Sequence, residues 1–124
     1  MDLKEWKRLF NHMSPDEFTA LIISMFDECK NRLALKDQEY AGGFDVFEAF
    51  RIAAKAEDVP PAEIARRYRL KHDVSVIKMI KDVARGKYLD NKFIDEKFGD
   101  IICYTVLMYG MVREMNECNQ ENSS

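Results

Sequence analysis

Glu96 and Asp100 stand four residues apart at the start of an apolar stretch, a spacing that stacks two side chains on one helical face. Two carboxylates so placed can hold a hard divalent cation such as Mg²⁺, which prefers oxygen ligands and keeps several of its waters. A cation held there can bridge phosphate oxygens and activate a water molecule. The alternative is a pair of solvated acids with Lys97 as a neighbour, because acids at this spacing are common on exposed helices. Gly99 weighs toward a site: a glycine inside a helix costs roughly 1 kcal/mol against alanine, so it admits close approach by a neighbour or a ligand. Glu28 is a further candidate metal ligand on an earlier helix, beside Asp27.

A second group is Lys71-His72-Asp73. His72 shares a helical side with Val76, Met79, Ile80 and Val83, so it is expected to face inward or into a cleft, either as a satisfied core histidine or as part of a site. Lys71 falls on the polar side with Ser75, Lys78 and Asp82, and can meet a phosphate as a point charge; the alternative is a solvated face. A third group is Lys36-Asp37-Gln38-Glu39-Tyr40-Ala41-Gly42-Gly43. Tyr40 can stack on a base and the backbone amides of the glycines can meet a phosphate, or the segment is simply a turn. It is neither a P-loop nor a GxGxxG fingerprint. No Ser, His and Asp order suggests a triad. Arg66-Arg67-Tyr68-Arg69 is the most basic point of the chain, as a solvated face or as an anion or acidic-partner contact.

Five helices must position these residues. Asp2 can cap a first stretch from Leu3 to about His12. Ser14-Pro15-Asp16-Glu17 is a start signal for a second helix: serine as cap, proline at the first helical position, glutamate to complete a capping box. Phe18, Leu21, Ile22, Met25, Phe26, Cys29 and Leu33 then recur at the helical period. Lys36 to Tyr40 lie either in its last turns or in the loop after it. A shorter helix is predicted over about Asp45 to Glu57, broken by Pro60-Pro61. A fourth runs from near Pro61 to a stop at Gly86 and absorbs the β-prone Val74-Ser75-Val76-Ile77. Asp90 or Asn91 can cap the last and longest helix, through Phe93, Ile94, Phe98, Ile101, Ile102, Met108 and Val112, with a polar tail expected to fray after Met115. The pattern predicts one all-α domain over 1–117, a bundle of antiparallel neighbours, and a polar tail over 118–124.

Bulk properties narrow the function. The net charge of −3 argues against capture of extended DNA or RNA, which needs a concentrated positive face, yet leaves room for a basic pocket for one phosphate group. Cys29, Cys103 and Cys118 are widely spaced with no CxxC pair, so reduced thiols in a cytoplasmic protein are expected rather than zinc or disulfides. The start of the chain lacks the apolar run of a signal peptide, and no stretch approaches the ~18 apolar residues of a membrane span.

Three blocks together, residues 36–50, 70–76 and 96–104, resemble small phage-encoded helical proteins of the nucleotide modification associated type. These are in turn distantly similar to the all-alpha NTP pyrophosphohydrolases, the MazG-like and dimeric dUTPase-like enzymes. The resemblance spans about residues 36 to 112, and Glu96-Lys97-Phe98-Gly99-Asp100-Ile101-Ile102-Cys103-Tyr104 is its most specific part. Lys36, Glu39 and Tyr40 match the family's charged-residue-plus-Asp-Tyr element, with Glu39 in place of the aspartate. Lys71 and His72 match a Lys-His pair, Glu96 and Asp100 the late acidic pair, and Tyr104 the tyrosine that follows it. The family's tight Glu-Glu-x-x-Glu run is here Asp27-Glu28-Cys29-Lys30-Asn31, a departure that leaves nucleotide binding in place and catalysis open.

The resemblance implies a nucleotide-binding homo-oligomer, with Lys36, Lys71 and Lys97 on phosphate and Tyr40 or Tyr104 on a base. Glu96 and Asp100 would be the catalytic pair of a Mg²⁺-dependent phosphoanhydride hydrolase. Two alternatives stand beside it: a non-catalytic phage protein that sequesters a nucleotide signal of bacterial defence, and a helical protein–protein interaction module.

Overall fold

The computed structural model describes residues 1–9, 13–39 and 47–123, with the side chains of 7–9, 35–39 and 123 outside the description. Its five elements are helices: α1 (Leu3–Leu9), α2 (Pro15–Glu39), α3 (Glu48–Glu57), α4 (Pro61–Ala84) and α5 (Asn91–Ser123). No strand occurs among the described residues. No described helix is long and apolar enough to cross a membrane.

The helix starts follow local chemistry. Asp2 and Glu5 cap α1 reciprocally: the Glu5 amide donates to Asp2 Oδ1 at 2.9 Å and the Asp2 amide to Glu5 Oε2 at 3.3 Å. Ser14 Oγ accepts from the Glu17 amide at 3.1 Å, with Pro15 at the first helical position of α2. Asp90, rather than Asn91, opens α5, its Oδ1 accepting from the Lys92 amide at 3.0 Å. At the other end of α3, Asp58 takes the left-handed conformation (φ 55°, ψ 50°) that lets the chain reverse into Pro60-Pro61. Glu63, in the first turn of α4, is held down to about 2 by hydrogen bonds and charge from Arg66 and Arg67.

Several boundaries differ from expectation. α3 begins at Glu48, three residues later than predicted, while α1 is described through Leu9 and residues 10–12 lie outside the description. Lys36 to Glu39 belong to the last turns of α2. α5 continues through the polar tail to Ser123, whose last turns contain no helix-breaking proline or glycine.

α4 and α5 form the centre of the molecule. Arg69 meets Thr105, Tyr68 meets Tyr104 and His72 meets Asp100, so the two helices run antiparallel in a constant register. α2 lies along the opposite flank of α5, and Cys29 reaches Gly99 while Arg32 reaches Asp100. Leu33, one turn further along α2, packs on the Leu107 and Met111 cluster, so α2 and α5 run parallel. That orientation departs from the all-antiparallel bundle because α3 and α4 intervene between them in the chain. The best-covered cluster is Ala62, Ala65, Leu107 and Met111, packed by Leu33, Phe47, Phe50, Tyr104 and Met108. The two alanines let α4 approach α5 closely.

The apolar stripe of α2 is only partly used. Cys29 is buried and Leu33 half-buried, but Phe18, Leu21, Ile22 and Phe26 remain exposed, as do Ile80 and Val83 on α4. The helical period identified a stripe; it did not say how much of it a single chain can cover.

Candidate functional site

Asp100 is the centre of the arrangement. It projects from α5 toward both neighbouring helices, with Arg32 Nη1 on its Oδ1 at 3.1 Å and His72 Nδ1 at 3.5 Å from its Oδ2. The second contact is an ion-pair distance rather than a hydrogen bond. Arg32 Nη2 donates to Glu28 Oε1 at 2.7 Å, one turn back on α2. Glu28 and Asp100 therefore do converge, on opposite nitrogens of one guanidinium. Burial alone would disfavour the charged arginine. The Glu28 hydrogen bond and charge, followed by Cys103 and Asp100, outweigh it and hold the guanidinium above its ordinary pKa.

Gly99 explains how Arg32 gets there. The position a Cβ would take at Gly99 lies 3.0 Å from both Nη atoms of Arg32, so any side chain would press on the ion pair. The glycine is buried beneath α2, and its carbonyl lies 3.8 Å from Cys29 Sγ. Close approach is thus the reason for the helical glycine, and the group that approaches is the arginine.

His72 stacks on Tyr104 with ring centroids 5.3 Å apart and planes inclined by 24°. Tyr104 continues to Tyr68 at 6.0 Å, and Tyr68 to Phe50 at 6.2 Å. The imidazole thereby ends a row of four rings shared by α3, α4 and α5. Burial, then the Asp100 charge with smaller effects from Tyr68 and Cys103, pushes the Tyr104 phenol above its usual value. Arg32, His72, Asp100, Cys103 and Tyr104 line a cavity of about 130 Å³ between the three helices.

Other nominated residues lie elsewhere. Glu96 is exposed, as is Lys71. Lys97 extends over the Phe93 ring at 5.4 Å and lines a separate cavity of about 260 Å³ with Ser75, Lys78 and Lys87. That cavity shares no lining residue with the Asp100 cavity. Lys36 and Glu39 sit in the last turns of α2 with their side chains outside the description, and Tyr40 lies outside the described residues. A larger groove of about 710 Å³ at the α3–α4 turn is lined by Arg51, Ile52, Lys55 and Pro60 among others, and by none of the nominated residues.

The residue missed in the sequence is Arg32. Its i,i+4 relation to Glu28 was legible; its reach to Asp100, 68 positions away, was not. Among the described residues no three His, Cys, Asp or Glu side chains converge as a metal cage. A Mg²⁺ ion shared by Glu28 and Asp100 would have to take the place of the Arg32 guanidinium, so the arrangement as it stands is an ion-pair triad and no reaction step is assigned to a metal. The fold and site define an all-helical protein with an arginine–carboxylate–imidazole cluster at the meeting of three helices. Comparison of the chain with family models, with curated proteins and with solved structures gave no match.

Proposed function

We propose that the protein binds a nucleotide or nucleotide-derived anion at the Asp100 cavity and holds it without hydrolysing it. The observation that carries this reading is the grouping of a stacked His72–Tyr104 pair, a guanidinium and a carboxylate around one cavity. A flat ring surface suits a base. Arg32 suits a phosphate oxygen, and Asp100 suits an exocyclic amine or a sugar hydroxyl. The cavity is smaller than the ~300–1,000 Å³ of pockets that enclose a whole ligand. It would seat one moiety and leave the remainder on the open side. The resemblance of residues 36–50, 70–76 and 96–104 to nucleotide modification associated proteins favours the same ligand class.

Binding without hydrolysis is preferred because Glu28 and Asp100 are both engaged by Arg32. In this reading the protein acts in the cytoplasm, of the host cell if phage-encoded, as a homo-oligomer that sequesters a nucleotide signal. Mg²⁺-dependent pyrophosphohydrolysis is the alternative, and it requires Arg32 to yield its place to the cation.

Incubation with a panel of nucleoside triphosphates and cyclic nucleotides, with and without Mg²⁺, followed by mass spectrometry separates the two. Intact ligand recovered after denaturation, with binding lost in Arg32→Ala and Tyr104→Ala, is the expected result. Pyrophosphate release that disappears in Asp100→Ala would establish the hydrolase instead. Absence of both a thermal shift and bound ligand across the panel would refute either form.

A further inference from the structure

Most arginines of this molecule are taken up by carboxylates. In the basic run Arg66-Arg67-Tyr68-Arg69, Arg66 pairs with Glu63 at 2.7 Å, Arg67 pairs with Glu63 and Glu57, and Arg69 stands 3.9 Å from Asp73. Arg32 is held by Glu28 and Asp100, and Arg51 by Glu114. The most basic point of the sequence therefore has little charge to offer a ligand. Cations without such partners gather elsewhere, around the cavity of about 260 Å³ between α4, the turn over 85–90 and α5.

Ser75, Lys78 and Asp82 recur at three and four residues and line this cavity from one side of α4. Lys97 lines it from α5 and Lys87 from the turn. Lys97 is half-buried, with its Nζ 5.4 Å from the centroid of the Phe93 ring, whose negative face is a partial counter-charge. Among the described residues no carboxylate pairs with Lys78 or Lys97. Asp82 is the one acid among the described lining residues, and Lys87 stands 3.9 Å from it. Three lysines and one aspartate leave the lining with a charge of +2. Ammonium groups that share a partly covered cavity repel one another and lose water on the covered side. An anion of two charges offsets both costs.

We propose that this cavity binds a phosphate dianion, free or as the phosphate of a small phosphomonoester, with Lys78, Lys87 and Lys97 as its ammonium donors and the Ser75 hydroxyl as a further donor. Lysine meets phosphate as a point charge, and two negative charges match the lining. The cavity is below the ~300–1,000 Å³ that encloses a whole drug-sized ligand, which suits one phosphate group with its waters. The net charge of −3 gives the chain no general attraction for anions, so binding has to be local. Extended nucleic acid would need a stripe of such sites. The site is separate from the Asp100 cavity and does not depend on the nucleotide reading.

Isothermal calorimetry of the full chain with sodium phosphate and with phenyl phosphate tests it, at constant ionic strength and about pH 8, where both are dianions. Saturable one-to-one binding is expected. Lys78→Gln and Lys97→Gln should each weaken it about tenfold, by loss of one charge-assisted contact. Lys30→Gln and Lys81→Gln, at exposed positions outside the cavity, should bind as the wild type does. Asp82→Asn removes the one negative charge of the lining and should tighten binding, a gain that misfolding cannot produce. Tighter binding of phenyl phosphate assigns a phosphomonoester and tighter binding of inorganic phosphate the free ion; either supports the site. No saturation with either ligand overturns the proposal, as does equal weakening in Lys81→Gln and Lys97→Gln. Binding lost in Arg32→Ala but kept in Lys97→Gln would move the anion to the Asp100 cavity and overturn it as well.

Discussion

Gly99→Ala offers a test of the Arg32 cluster in which two opposing effects can be sized. In an isolated helix the substitution stabilises by roughly 1 kcal/mol, because glycine is the poorer helix former. In this protein the new methyl would stand 3.0 Å from both Arg32 Nη atoms. The guanidinium must retreat, and it is tied on two sides, to Glu28 at 2.7 Å and to Asp100 at 3.1 Å. The side chains of Arg32, Glu28 and Asp100 are 26%, 38% and 36% exposed, so solvent weakens each pair to about 0.5–1 kcal/mol. Complete loss of both contacts would cost about 1–2 kcal/mol, so a retreat of a few tenths of an ångström offsets part or all of the helix gain.

The substitution is therefore expected to raise Tm by less than the helix gain alone, or to lower it, in the native background. In Arg32→Ala, where nothing is displaced, it should raise Tm by about 4 °C. A double-mutant cycle by thermal and urea denaturation reads the difference as a coupling of up to about 1–2 kcal/mol. An equal stabilisation in both backgrounds would refute the claim that Gly99 exists to admit Arg32.

Two further outcomes follow from the same packing. A Cβ at Gly110 would lie 2.9 Å from Phe47 Cζ, and Phe47 packs on the Ala62–Leu107–Met111 cluster. Gly110→Ala should thus destabilise by about 1–2 kcal/mol despite its better helix propensity, as overpacking does, read as a lower urea midpoint. The Tyr104 phenol, raised first by burial and then by Asp100, binds its proton more tightly folded than unfolded. Its contribution to stability is complete below about pH 10 and is lost as pH climbs through the raised folded value. Ultraviolet titration should show an alkaline step above the usual tyrosine range that is missing in Tyr104→Phe, and that substitution should remove this part of the alkaline loss.

Much of the architecture was legible because helix signals are local. Ser14-Pro15, Pro60-Pro61 and Asp90 place the helix starts by capping and proline geometry that involve only neighbouring atoms. Five helices in order follow from those signals and the apolar period. Glu96 and Asp100 show where such reasoning stops. Their spacing puts both on α5, but it cannot say that Asp100 looks between α2 and α4 while Glu96 looks outward. Four residues leave them only about 40° apart around the helix but about 6 Å apart along it, and only Asp100 lies level with Arg32 and His72.

By itself, then, the sequence determined the all-helical class, the order of the helices and the helical glycine at 99. Only the tertiary structure decided which charges meet. It drew Arg32, Glu28, His72 and Asp100 to one point through the parallel course of α2 along α5, and it set Lys97 in a different cavity between α4 and α5. It also decided that Phe18, Ile23 and Phe26 stay exposed. Hydrophobic period reports a tendency to be covered, and coverage depends on how many helices one chain can bring to the same face.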